Sequence, residues 1–339
     1  MATFNREGVT IMRTVPKAAL AFLFCVLGVS ACSIAPAPRT ILTLGTGASG
    51  GAFMDYGPGV AKVVAAHSAI DLQSLPTAGS NENLALLADG RVQLALVNMG
   101  PAYEAWTGTE AWAGKRVRNI RALTPMYETP FHAIALASSG IHGVVELDGK
   151  RVGVGPHGGP AENFFRGLAG ALGIKPLLVN GSPSDNAQQL LRGEIDAFWY
   201  GAGLPVGAFV DAARAQPVTV FGLTAPEVAV FRAKFPYLAP YTVPAGTYAG
   251  QDRALETAAV WNFILARTDL DDDTAYRIAS AILDHPDEIA RVYPAASASV
   301  VKNMNADTFL PLHPGAARYL RERPVLPFDP GKLPGFAAP

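Results

Sequence analysis

Apolar positions fall into short runs, each leading into a glycine-rich turn and then into a stretch with helical spacing. Ile41 to Leu44 runs into Gly45-Thr46-Gly47-Ala48-Ser49-Gly50-Gly51; Phe53 to His67 then reads as a helix and Ile70 to Leu75 as a strand. Asn83-Leu-Ala-Leu-Leu-Ala-Asp-Gly90 followed by Arg-Val92-Gln-Leu94 reads as helix, glycine stop, strand. The same pattern returns 103 residues later as Asn186-Ala-Gln-Gln-Leu-Leu-Arg-Gly193 and Glu-Ile195-Asp-Ala197. Gly79-Ser80 and Gly181-Ser182 precede the two copies. Upstream of the second copy, Lys150 to Val154 runs into Gly155-Pro156-His157-Gly158-Gly159-Pro160, and Ala161 to Leu172 reads as a helix. Two such units in the same order predict two similar α/β halves built on parallel strands. Tyr127 to Ala137 and Tyr241 to Tyr248 are the candidate crossings between them. Beyond the second crossing, helices are expected at Asp252–Arg267, Asp271–Leu283, Pro286–Tyr293 and Pro314–Glu322, with Pro324 to Pro339 as a tail over the surface.

The first 31 residues have a different pattern. Arg6, Arg13 and Lys17 precede the apolar run Ala18 to Val29, whose 12 residues suit the core of a signal peptide and are too few to span a bilayer core of about 30 Å. Met12 is an alternative start that leaves a complete signal. Val29-Ser30-Ala31-Cys32 resembles the lipobox of bacterial lipoproteins, so Cys32 is expected as the first mature residue and as the lipid-bearing one; ordinary cleavage after Ala31 is the alternative. Cys25 lies in the removed segment, so no disulfide is expected. The picture is of an exported soluble domain that touches a membrane only through its lipid.

Composition narrows the function classes. The chain has 339 residues with 27 basic and 28 acidic side chains, 50% hydrophobic and only 16% charged. A formal charge of −1 gives no footprint for a nucleic acid. The six histidines are dispersed without metal-ligand spacing, so no metal is expected. Gly47-Ala48-Ser49-Gly50 is not a Gly-x-Ser-x-Gly elbow, and no Ser-His-Asp set emerges, so no catalytic residue is assigned.

The glycine loops are the candidate chemistry. Gly45-x-Gly47-x-x-Gly50 and Gly153-x-Gly155-x-x-Gly158 formally match the dinucleotide fingerprint, but Asp71 falls at the start of its strand rather than at the end, where a ribose-binding acid belongs. No cofactor is expected. A small carboxylate uses the same physics, because a helix N-terminus offers unpaired N–H groups and partial positive charge. The bland alternative is that the glycines only make tight turns. Trp199-Tyr200 and Asn98-Met99, at the ends of the repeated strands, either pack on a ligand or serve the core.

Gly45-Thr-Gly-Ala-Ser-Gly-Gly51, Gly79-Ser-Asn-Glu-Asn-Leu84, Leu147-Asp-Gly-Lys-Arg-Val-Gly-Val-Gly-Pro156 and Leu312-His-Pro-Gly-Ala-Ala-Arg-Tyr319 together resemble the TAXI family, over roughly residues 40 to 325. These are the extracytoplasmic solute-binding subunits of tripartite ATP-independent periplasmic (TRAP) transporters. The resemblance implies a two-lobed type II periplasmic-binding-protein fold with a hinge and a ligand cleft between the lobes. Residues 40–131 with 245–339 would form the first lobe and the C-terminal helices, and 132–244 the second. It also implies a monomeric receptor for a small organic anion (a dicarboxylate, 2-oxo acid or glutamate-like amino acid) that delivers to a permease driven by an ion gradient. Carried over by motif, the contacts are Thr46, Gly47, Ser49, Gly50, Gly51, Ser80 and Asn81 from one lobe and His157, Gly158 and Gly159 from the other. Two departures stand out. Ala52-Phe53-Met54 replaces the family's Thr-Tyr-Tyr, and Gly159, Pro160 and Ala161 replace Ser, Gly and Thr. Lost hydroxyls imply a more apolar ligand. A sensor subunit for a membrane kinase, an exported hydrolase and, further off, a surface adhesin are the competing functions.

Overall fold

The structure is a computed structural model that describes residues 39–306 and 309–323. The expected signal peptide 1–31, Cys32 and the tail 324–339 lie outside the described residues. No helix among the described residues is long and apolar enough to cross a membrane.

The first half runs β1 (Thr40–Gly45), α1 (Ala52–His67), β2 (Ile70–Leu75), α2 (Ser80–Ala88), β3 (Leu94–Asn98) and α3 (Met99–Thr107). The long strand β4 (Ile120–Leu136) leads to a second set: β5 (Arg151–Gly153), α4 (Pro160–Leu172), β6 (Leu177–Val179), α5 (Pro183–Leu191) and β7 (Ala197–Gly201). Then follow α6 (Gly207–Ala215), β8 (Val218–Phe221), α7 (Ala225–Lys234), β9 (Ala239–Val243), β10 (Leu255–Arg267), α8 (Asp272–Leu283), α9 (Pro286–Val292) and α10 (Pro314–Arg321).

The strands join in the order β2-β1-β3-β10-β4-β7-β5-β6, with β8 paired to β4 and β9 to β10. β2, β1 and β3 are parallel, and so are β6, β5 and β7, so each half has the order second, first, third. The repeat in the sequence is a repeat in space. Ser80–Ala88 and Leu94–Asn98 recur as Pro183–Leu191 and Ala197–Gly201, every boundary shifted by 103 residues. Gly90 and Gly193, at φ of 74° and 69°, end the paired helices in the left-handed conformation that glycine adopts without strain.

One expectation fails. Asp252–Arg267 is not a helix; Leu255–Arg267 is β10, an antiparallel strand between β3 and β4. Its alanines and leucines suit a helix, but Ala258, Ala259, Val260 and Phe263 to Ala266 are all buried, on both faces of the strand. A strand covered on both sides shows no alternation, so periodicity cannot separate it from a buried helix. The three later helices appear where the pattern places them.

β4 and β10 carry the chain between the halves. Residues 120–130 of β4 pair with β10, whereas Phe131 to Leu136 pair with β7 and β8. Register shifts in the β4–β10 pairing fall between Trp261 and Phe263 and between Ile264 and Leu265. Such irregularities bend a sheet.

Candidate functional site

In each half a buried asparagine fastens the loop that follows the first strand. Asn83 Nδ2 donates to the carbonyls of Thr46 and Leu96, both at 2.7 Å, and Asn83 Oδ1 accepts from Thr77 Oγ1 at 2.8 Å. Its counterpart Asn186 accepts the Gly155 N–H at 2.8 Å. A Cβ on Gly45 would stand 2.6 Å from Asn83 Oδ1, and one on Gly153 2.9 Å from Asn186 Cγ. Glycine at both strand ends is therefore what admits the asparagine.

The fastened loops deliver three helix N-termini to one cavity. Gly51 and Ala52 of α1, Gly79 and Ser80 of α2, and Gly159, Pro160 and Ala161 of α4 all line it. Each of these helices has a glycine at its N-cap and no side-chain cap. A fourth helix end, that of α3, also reaches the cavity and is capped by its own Asn98, and α5, α7 and α8, whose ends do not line it, are capped by Ser182, Thr224 and Asp271. Uncapped ends leave N–H donors and partial positive charge to whatever occupies the space. No charged side chain is among the described lining residues. The cavity measures about 60 Å³, room for about two waters at the ~30 Å³ each takes in the liquid.

The sequence-derived contact residues divide. Gly47, Gly51, Ser80 and Gly159 line the cavity. Thr46 is buried behind it, its hydroxyl donating to the Leu75 carbonyl at 3.0 Å. Ser49 is exposed, and a Cβ on Gly50 would overlap Ser184 of the second half. Asn81 spans the halves, its Nδ2 donating to the Gly158 carbonyl while its Oδ1 accepts from Trp112 Nε1 at 3.3 Å. His157 stands outside the lining with its side chain 83% exposed, 3.4 Å from Glu162. Trp199 lies in the core against Phe131 and Phe165, whereas Tyr200 lines the cavity between Gly51 and Gly155.

Glu162 holds the second loop from behind. It accepts from Gly158 N–H at 2.7 Å, from Asn180 at 3.0 Å and from Arg166 at 2.6 Å. Burial acts to raise its carboxyl, but Arg166 together with the Gly158 and Asn180 hydrogen bonds outweighs it and leaves the group below the usual range.

The floor comes from Asn98 on β3, singled out at the end of its repeated strand, and from residues that motif reading does not reach: Asn262 on β10, and Tyr127, Thr129 and Phe131 on β4. Asn262 sits in the register shift and donates to the Tyr127 carbonyl and to Thr129 Oγ1, both at 2.7 Å, while its Oδ1 accepts from Asn98 at 3.3 Å. The fully buried Tyr127 hydroxyl has no hydrogen-bond partner among the described residues. Of the floor residues, only Asn98 stands in a repeated unit.

A second bridge between the halves lies beside the cavity. The Tyr237 hydroxyl donates to Glu104 Oε1 of α3 at 3.1 Å, and Lys234 pairs with Glu110 at 3.2 Å. Burial is the largest influence on Glu104 and pushes its carboxyl up to about 7; the Tyr237 hydrogen bond opposes this, Glu110 adds to it and Lys234 opposes it.

Solved structures share this architecture. MatC (Rpa3494) from Rhodopseudomonas palustris with bound malate is 15% identical, with 77% of this chain and 90% of that one covered and a TM-score of 0.55. A periplasmic transporter gives 13%, 77%, 88% and 0.52 for the same measures. The GluR0 ligand-binding core in complex with L-glutamate gives 10%, 77%, 98% and 0.50. The fold is thus the two-lobed α/β fold of type II periplasmic-binding proteins, with the cavity in the cleft between lobes joined by β4 and β10. Residues 44–323 match the NMT1-like family, a span that takes in both repeats, both connecting strands and the C-terminal helices; the chain belongs to the NMT1-like family.

Proposed function

We propose that this chain is an extracytoplasmic solute-binding protein of the TAXI type, which encloses a small organic anion and hands it to a TRAP permease. The observation that carries this reading is the convergence of three uncapped helix N-termini on a cavity with no charged lining. A carboxylate is the ligand group that such ends satisfy. MatC and the GluR0 core, whose fold this chain shares, hold malate and L-glutamate, both carboxylates.

The cavity favours a particular subset. An amino acid brings an ammonium, and the lining offers it no carboxylate. Of the positions that depart from the family pattern, Ala52, Phe53, Gly159, Pro160 and Ala161 lie on the cavity wall and Met54 does not. The reading is therefore a short carboxylate that carries no ammonium, 2-oxo acids included. We read the site as binding rather than catalytic, because the one serine in the lining accepts the Asn98 N–H at 2.9 Å and no histidine stands beside it.

Thermal unfolding of the ligand-stripped protein against monocarboxylates, dicarboxylates, amino acids and sugars tests this. A ligand at 100 times its Kd adds about 2.7 kcal/mol. Stabilisation by short carboxylates that carry no ammonium, and not by their amides, is expected; a folded protein that responds to no carboxylate overturns the reading. The export reading has its own test. Cys32→Ser is expected to move the protein from the membrane fraction to the soluble one, and unchanged partition would remove the lipid anchor.

A further inference from the structure

We propose that His67, His285 and Glu288 form a surface site for one divalent transition ion of the Zn²⁺ class, separate from the cavity. His67 is the last residue of α1, His285 immediately precedes α9, and Glu288 lies in the first turn of α9. The two helices are in close contact, since a Cβ on Gly59 of α1 would come within 2.6 Å of Val292 of α9. Their packing therefore brings together donors more than 200 positions apart in the chain. The three ligand atoms lie within 4.8 Å of one another.

The donors already stand close together. His67 Nε2 and Glu288 Oε1 share a hydrogen bond at 3.0 Å, close to the ~3.3 Å edge of a tetrahedron with bonds of ~2.0–2.1 Å. The His285 ring stacks on His67 with centroids 3.4 Å apart and planes 12° from parallel, so the His67 ring must turn out of the stack for both in-plane lone pairs to meet one ion. His285 Nδ1 donates to the Ala281 carbonyl at 3.0 Å, which leaves the lone pair on Nε2. A carbonyl behind the far ring nitrogen is what fixes a ligating imidazole in one tautomer. Two imidazoles and one carboxylate are a donor set for zinc with a fourth position left to water, whereas Mg²⁺ and Ca²⁺ prefer oxygen throughout. Bound there, the ion clips the end of α1 to the start of α9.

The test is calorimetric titration of ZnCl₂, with MgCl₂ in parallel, into the untagged full chain at pH 7.5. Cys25→Ser and Cys32→Ser remove competing thiols. One equivalent of Zn²⁺ and no Mg²⁺ uptake are expected. His67→Gln and His285→Gln should each weaken Zn²⁺ binding by about tenfold or more, while His142→Gln on the exposed surface leaves it unchanged. Far-UV circular dichroism establishes that each variant is folded. Independently, Zn²⁺ should raise the Tm of the parent and not that of the two site variants. Absent Zn²⁺ uptake by the folded parent, or uptake that survives both substitutions, overturns the site.

Discussion

Asn83 and Asn186 occupy equivalent places in the two repeats and bind the two glycine loops to their own lobes. Asn83→Ala takes a hydrogen bond from the buried Leu96 and Thr46 carbonyls, while the Thr77 hydroxyl keeps the Thr46 carbonyl and the Gly79 N–H; a buried polar group left unpaired costs about 1–3 kcal/mol. A fall of several degrees in Tm is expected, with weaker ligand binding because the α1 loop loses its fastening. A variant as stable as the parent in urea and heat would show that the network is dispensable. Tyr127 gives the opposite case. Its hydroxyl is buried and unpartnered in the cavity wall, so Tyr127→Phe removes nothing the ligand-free protein uses. The ligand-free Tm is expected to hold or rise slightly. Affinity should fall by about 10- to 100-fold, the range for a lost hydrogen bond to a charged group; unchanged affinity would mean that the ligand does not use this hydroxyl.

The elements show why some of this was legible and some was not. Helix, glycine stop and strand follow one another within a dozen residues, so the repeat could be read to the boundary and the glycine loops placed at the carboxyl ends of strands. β10 could not, because Ala258 to Ala266 carries helix-forming residues into a slot covered on both faces, and only neighbours distant in sequence make it a strand. Asn262 was lost with it, and Tyr127 and Thr129 were hidden for the same reason, since their partner lies more than 130 positions away. The exposed His157 shows the converse: a loop motif identifies a loop, not the side of it that faces inward.

The bridge between α3 and the segment after α7 carries a pH dependence of definite sign. Glu104 has its pKa raised from 4.5 to about 7 in the folded protein. The folded protein therefore binds a proton that the unfolded chain has released, and the contribution is complete below about pH 4.5 and is lost as pH rises through 7. Glu104→Gln stays neutral and keeps an acceptor for Tyr237. It is expected to match the parent near pH 5 and to exceed it in Tm near pH 8. An equal difference at both pH values would show that Glu104 does not titrate in this range.

At the scale of the whole molecule, two similar lobes each contribute glycine-capped helix ends, and the two connecting strands contribute the floor. On the proposed function, a ligand that touches all of these only when the lobes are shut favours the shut state by the difference in its affinity for the two. The uncharged cavity has a kinetic consequence. Mobile ions screen the field of fixed charges on a protein surface over about 10 Å at 0.1 M salt, and sites that draw in their ligands with arginine or lysine lose association rate as salt rises. Here the attraction resides in peptide dipoles that act only at contact, within the closed cleft. The rate of ligand capture should therefore stay nearly flat from low salt to several hundred millimolar, which suits the extracytoplasmic receptor proposed above, since the cell does not control the salt there.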